Sequence, residues 1–187
     1  MSPIERSGGG GGGSGSFSLI FDSTLGAPAT SIDTGAGGVP GTFSALKILL
    51  LGRTSNVVFN DTAALVFNND TTAAHYDAVW TRNNGGVIGS VDATAQPNAQ
   101  LGVVPGASGT ANYFAATDIT IPAYTQTTAF KTGVSNSGVT YDALAHATTI
   151  FVTFSWRSTA AITRIAFVLQ TGSNLIAGSR MTIYGMQ

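Results

Sequence analysis

The sequence predicts an all-β chain, a β-sandwich or a barrel, with a glycine-rich segment ahead of it. Three observations carry that expectation. No long segment places apolar residues at i, i+3, i+4 and i+7, the spacing of an amphipathic helix. Many short segments alternate apolar and polar residues with period 2, which sends the two sets to opposite faces of a strand. Clusters of Gly, Asn, Asp and Pro separate those segments.

In chain order, the first element is residues 1–16, read as an N-terminal arm, and residues 17–187 are read as a single β-sandwich domain. The arm contains six consecutive glycines, Gly8, Gly9, Gly10, Gly11, Gly12 and Gly13. Glycine loses more backbone entropy on ordering than any other residue, so such a tract is ordered only where a partner supplies contacts. The expected strands then run FSLIFD, FSALKILLLG, NVVFN, ALVFNN, HYDAVWT, GVIGSV and DITIPAY. TTIFVTFSWRS gives the cleanest alternation, with Ile150, Val152, Phe154 and Trp156 on one face. AITRIAFVLQ puts Thr163, Ile165, Phe167 and Leu169 together, and RMTIYGM puts Met181 and Ile183 on the core face. VVFNDTAA followed at once by LVFNNDTTAA reads as two consecutive strands with Asn-Asp-Thr turns. Leu25 to Thr42 and Asp92 to Asn112, rich in Gly, Ala, Pro and Thr, read as long loops of the kind that bind something or pack against a neighbour.

Composition narrows the function classes. Charged residues are 9% of the chain, against about 25% in an average soluble domain. Charge depletion of this degree fits a surface partly buried in a permanent assembly. The formal net charge is −1, and Lys47 and Lys131 are the only lysines, so binding through phosphate neutralisation is not expected. There is no cysteine, which excludes disulfides and thiolate chemistry. The opening MSPIERS has no apolar run, so no secretory signal is expected, and Ile48 to Leu51 is far too short to cross a bilayer.

The search for catalytic patterns gives little. His75 and His146 form neither H-x-x-x-H nor H-E-x-x-H, and no G-x-S-x-G elbow exists. Glu5 is the only glutamate, and nothing singles out two of the eight aspartates as a glycosidase pair. Asp61, Asp70 and Asp77, with Asn60, Asn68 and Asn69, offer oxygens but not the order of a calcium loop; turn capping is the better reading. The glycine run lacks the Lys and the following helix of a phosphate loop. No catalytic, metal-binding or cofactor-binding residue is assigned, and no cofactor is expected.

The C-terminal third, WRSTAAITRIAFVLQTGSNLIAGSRMTIYGM, resembles the ending of a group of phage virion structural proteins. The resemblance rests on Ser158, Thr159, Ala161, Ile162, Thr163 and Ile165, then Gly172 and Asn174, then Gly178, Ser179, Thr182, Ile183, Tyr184 and Gly185. Upstream, LKILLLGRTS resembles the group's second strand, LVFNNDTTAAHYD is similar to another stretch, with His75 where asparagine is usual, and ITIPAYTQTTAFKT to a third, through Ile119, Ile121, Tyr124, Lys131 and Thr132. It implies a jelly-roll-like antiparallel β-sandwich on the surface of the virion and no chemistry of its own. Gly178 and Ser179 would then turn the chain into the last strand, and Arg180 would pair with an aspartate near a strand end; Tyr184 and Gly185 complete that structural motif.

The expected function is therefore a non-enzymatic virion protein that decorates or cements the capsid exterior through its arm. Ile4 would be an apolar anchor, Glu5 and Arg6 would make polar contacts, Gly8 to Gly13 would thread a groove on the capsid or a neighbouring subunit, and Phe17 would mark entry into the sandwich. The alternative is a tail fibre or tail-tip protein binding the host surface; a glycan-binding or glycan-degrading module is more remote. The expected partners are other virion proteins, capsid or tail subunits, and further copies of the chain in a homo-oligomer, with a trimer favoured; neither nucleic acid nor membrane is expected as a partner.

Overall fold

The computed structural model describes residues 16–140 and 147–187. Among these there is no helix, and twelve strands form two sheets in which every pairing is antiparallel. The strands are β1 (Phe17–Thr24), β2 (Ser31–Asp33), β3 (Ala45–Gly52), β4 (Asn60–Phe67), β5 (Tyr76–Asn84), β6 (Val87–Gln96), β7 (Ala99–Pro105), β8 (Ala115–Pro122), β9 (Lys131–Thr140), β10 (Ala147–Trp156), β11 (Ile165–Leu169) and β12 (Arg180–Met186). The larger sheet has the order β1-β12-β3-β8-β9-β10-β5-β6, and the smaller β2-β11-β4-β7.

That order contains a jelly roll. Removing the hairpins β5–β6 and β9–β10 leaves β1-β12-β3-β8 facing β2-β11-β4-β7. The chain passes between these sheets as two interlocked Greek keys, the jelly-roll arrangement. Both hairpins then add to the larger sheet beyond β8, so it outgrows the smaller one. The expectation of a jelly-roll-like sandwich holds.

The core is where the period-2 alternation of the strands meets. Leu46, Ile48 and Leu50 of β3, Ile150, Val152, Phe154 and Trp156 of β10, and Met181 and Ile183 of β12 point inward from the larger sheet. Leu65 and Phe67 of β4 and Ile165, Phe167 and Leu169 of β11 meet them from the smaller. Phe67 lies at the centre of an aromatic cluster, 5.6 Å from Trp156, 6.0 Å from Tyr76 and 6.2 Å from Phe154 between ring centroids.

Three local readings are corrected. First, 92–112 is not a long loop. It holds the end of β6 and all of β7, whose seven residues are buried. Leu101, Val103 and Val104 lie in the core of the subunit, so they are no surface for a neighbour. β7 is close enough to β9 that a Cβ on Gly102, whose φ is +137°, would meet the Ser137 Cβ at 2.9 Å. Second, 25–42 is interrupted by β2, and its Ile32 and Val39 are core residues. Third, the echo around 57–74 is not two strands. The first Asn-Asp-Thr lies inside β4, whereas Val57 is 81% exposed and outside any strand. Only the second group makes a turn, with Asn68 and Asn69 at φ 51° and 60° and the Asp70 amide donating to the Phe67 carbonyl at 2.9 Å.

Candidate assembly surfaces and the C-terminal motif

Ile4, Glu5, Arg6 and Gly8 to Gly13 lie outside the described residues, as does His146. Phe17 opens β1, the edge strand of the larger sheet. Its ring is 59% exposed and stands edge-on to Tyr184 of β12, centroids 6.2 Å apart at 84°. Phe17 is thus the first strand residue of the larger sheet, at an edge that no further strand covers among the described residues.

Gly178, Ser179, Arg180 and Gly185 of the C-terminal motif each have a mechanical role, and Tyr184 meets the Phe17 ring. Gly178 has φ +88°, a conformation that favours glycine, and a Cβ there would also press on the Phe114 ring at 3.3 Å. The Ser179 hydroxyl is buried; it accepts from the Arg53 amide at 3.4 Å and donates to the Arg53 carbonyl at 3.5 Å. Arg180 forks onto Asp22 with two 2.7 Å bonds, and Thr182 donates to the same carboxylate at 2.8 Å. These bonds stitch β12 to β1. Hydrogen bonds from Arg180, then from Thr182, hold the Asp22 carboxyl below the usual carboxylate range. Gly185 lies under the Phe43 ring, whose nearest atoms would be 2.2 Å from a Cβ.

Two of the upstream stretches that share the resemblance meet the C-terminal one. The buried Lys131 ammonium donates to the carbonyls of Ala129, Ser158 and Thr159 at 3.1, 3.4 and 3.2 Å. No carboxylate is among these partners, and burial pushes the Lys131 pKa down. The Asn68 side chain donates to the Ala161 carbonyl at 2.8 Å and accepts from the amides of Thr163 and Arg164 at 2.9 and 3.1 Å. The Ile162 amide donates to the Tyr124 carbonyl at 2.9 Å, and the Tyr124 hydroxyl donates to the Pro40 carbonyl. Residues 158–164, which have no regular structure, are therefore held in place by Lys131, Asn68 and Tyr124.

Asp70 anchors the turn after β4. Its carboxylate meets His75 Nδ1 at 2.7 Å and accepts from Trp156 Nε1 at 2.8 Å and the Thr72 amide at 3.0 Å. Burial works against the charged form, but these bonds outweigh it and hold the Asp70 carboxyl far below the usual range. The expectation of turn capping is met at Asn68, Asn69 and Asp70, where His75 completes the cap; Asn60 and Asp61 lie instead in β4, and Asp77 lies in β5 paired with Arg157. Arg164 pairs with Asp33 at 2.5 Å across β11 and β2, and its hydrogen bonds lower the Asp33 carboxyl. Among the described residues, no group of three or more His, Asp or Glu side chains is placed to hold a metal ion.

Sequence reasoning missed Arg53. Its guanidinium is buried and donates to the carbonyls of Gly106, Gly109, Thr110 and Tyr113 at 2.7–3.0 Å, so the 106–113 loop wraps around it. Carbonyl partners separated by more than fifty residues leave no local signal in the sequence.

The outer face of the larger sheet carries three ion pairs: Lys47 with Asp118 at 2.5 Å, Arg157 with Asp77 at 2.6 Å, and Arg180 with Asp22; Asp92 of β6, opposite Val79, has no ion-pair partner among the described residues. Between them stand Thr, Asn and Ser side chains and the exposed apolar residues Leu49, Leu51, Val79, Val134 and Phe151. No protein-family model, curated protein or solved structure matches the chain.

Proposed function

We propose that the protein is a non-enzymatic structural component of a phage virion that decorates or cements the capsid exterior. The observation that carries this reading is the convergence of the resembling segments on scaffolding contacts. Lys131, Asn68 and Tyr124 lock residues 158–164, while Ser179, Arg180 and Gly185 lock the last strand to β1, Arg53 and Phe43. The residues that carry the resemblance are thus ones that hold this jelly roll together. A fold alone does not define a function. The pairing of charges on the outer face supports an assembly surface, because paired charges can be covered without leaving an isolated buried ion.

In this reading residues 1–16 are the attachment arm, leaving the domain at Phe17 on the open edge of β1. Chains lacking residues 1–16 are expected to fold and melt like the full chain yet fail to sediment with virions stripped of the protein. Replacing Gly8 to Gly13 by serine is expected to weaken attachment, because added Cβ atoms would clash where the backbone lies against another surface. Full attachment by both variants would overturn the arm.

A further inference from the structure

The larger sheet ends in β6, which pairs with β5 and with no other strand among the described residues. At the tip of that hairpin β6 is exposed on both faces among the described residues. Val87 is 71% and Ile88 76% exposed, on opposite faces, and Val91 is half-exposed. A ten-residue edge strand with exposed Val and Ile presents a row of free N–H and C=O groups, a template for another strand. Nothing blunts this stretch: Val87 to Val91 has no charge, no proline and no bulge, and the register irregularity of the hairpin lies between Tyr76 and Ala78.

We propose that this edge pairs with the β6 edge of a second copy, continuing the larger sheet across a two-fold axis. The hairpin geometry fixes which groups are free. Gly85 and Gly86, at φ 59° and 89°, form the two-residue turn, so Asn84 and Val87 are the first hydrogen-bonded pair. Alternation then turns Val87, Gly89 and Val91 toward β5 and leaves Ile88, Ser90 and Asp92 bonding outward. An antiparallel copy must match outward residues with outward residues.

Side chains and charge choose among the registers that satisfy this. Centring the axis on Gly89 sets Ile88 against Ser90 of the second copy and, on the other face, Val87 against its Val91; each contact occurs twice. The acidic residue near the contact, Asp92, then falls opposite Gly86 at the partner's turn, clear of the apolar pairs and of its own mate. Centring on Ser90 instead would place Asp92 against Ile88. The sequence Val-Ile-Gly-Ser-Val is nearly symmetric about Gly89, as a self-complementary isologous contact requires. Arg82 pairs with Gly89 across the hairpin and its Nε lies 3.8 Å from where a Gly89 Cβ would be, so its side chain reaches toward the axis on the face that carries Val87 and Val91. That face is exposed at the hairpin tip, so the two guanidinium groups can turn into water instead of toward one another.

The test uses the full chain, which has no cysteine and so gives no background crosslinking. Sedimentation equilibrium is expected to show a concentration-dependent rise to twice the chain mass of 19.0 kDa. Ile88→Lys and, separately, Ser90→Pro are expected to abolish the rise while leaving the thermal melt unchanged; the Ser90 amide points outward, so proline spares the β5 pairing. Gly89→Cys is sterically free, its nearest neighbour being Arg82 Nε at 3.8 Å, and is expected to form a disulfide dimer under mild oxidation, while Ala160→Cys, at an exposed position of the 158–164 segment, does not. A monomer at every concentration would overturn the proposal. So would a dimer that survives both edge variants, equal crosslinking of the two cysteines, or an edge that pairs only with extended peptides of other proteins.

Discussion

Two glycines on β9 test the packing of the sandwich in opposite directions. Gly133 faces inward, directly paired with Phe154 of β10, and a Cβ built on it would lie 2.3, 2.8 and 2.9 Å from three atoms of that ring. The ring has nowhere to go, because Phe154 is buried and packs on Phe67 at 6.2 Å within the aromatic cluster. Gly133→Ala therefore overpacks the core, at about 1–3 kcal/mol. Reduced entropy of the unfolded chain returns about 0.4–1 kcal/mol. The net expectation is a loss of about 1–2 kcal/mol, or about 2–8 °C in Tm for a domain of this size. Gly138, five residues on, faces outward with nothing within 4 Å of its Cβ position. Gly138→Ala has only the entropic term and is expected to be neutral or stabilising by up to about 1 kcal/mol. Urea and thermal unfolding followed by far-UV circular dichroism measure both. If Gly133→Ala is as stable as the parent, or if the two variants shift together, then Phe154 does not cover Gly133 and the inward register of β9 is wrong.

Three further outcomes follow from the polar contacts. Arg53→Met keeps the aliphatic stem but leaves four carbonyls without their donor, so the 106–113 loop is expected to become the first site of proteolytic nicking, read by limited digestion and mass spectrometry. The Trp80 indole N–H is buried with no partner among the described residues, whereas that of Trp156 bonds Asp70; Trp80→Phe is expected to lie within about 1 kcal/mol of the parent and Trp156→Phe to lose about 1–3 kcal/mol more, by chemical denaturation. Asp70, Asp33 and Asp22 all have folded-state pKa values below the usual 3.8, so their stabilisation is fully present above that value and is lost as pH falls through the lowered ones; Asp70→Asn is expected to flatten the acid limb of the stability profile, and an unchanged limb would remove Asp70 from the account.

The legible parts of the sequence were those where one strand face is apolar and the other polar. β10 and β12 alternate cleanly and lie where the pattern put them, and the pairing of Arg180 with an aspartate is made by Asp22. β7 was illegible because it is buried along its whole length, and a strand covered on both faces shows no alternation. Its Gly, Ala and Pro content reads as loop. β9 was illegible for the opposite reason. Its inward residues are Lys131, Gly133, Ser135, Ser137 and Val139, small or polar because β7 presses close and Phe154 fills the space over Gly133. The Ser135 hydroxyl donates to the Leu101 carbonyl at 2.7 Å, a bond between strands that no local pattern announces. The scaffolding set of Arg53, Phe43 and Asp22 joins residues distant in the chain, and only the three-dimensional structure brings it together with the C-terminal motif.

The account rests most heavily on residence in the virion, and quantitative mass spectrometry of purified virions measures that directly. The account predicts that the protein is present in many copies per particle, comparable with the major capsid subunit, and that these copies are released without loss of the capsid shell. A few copies per particle, co-purifying with tails, would move the protein to the tail, and its absence from purified virions would contradict the account.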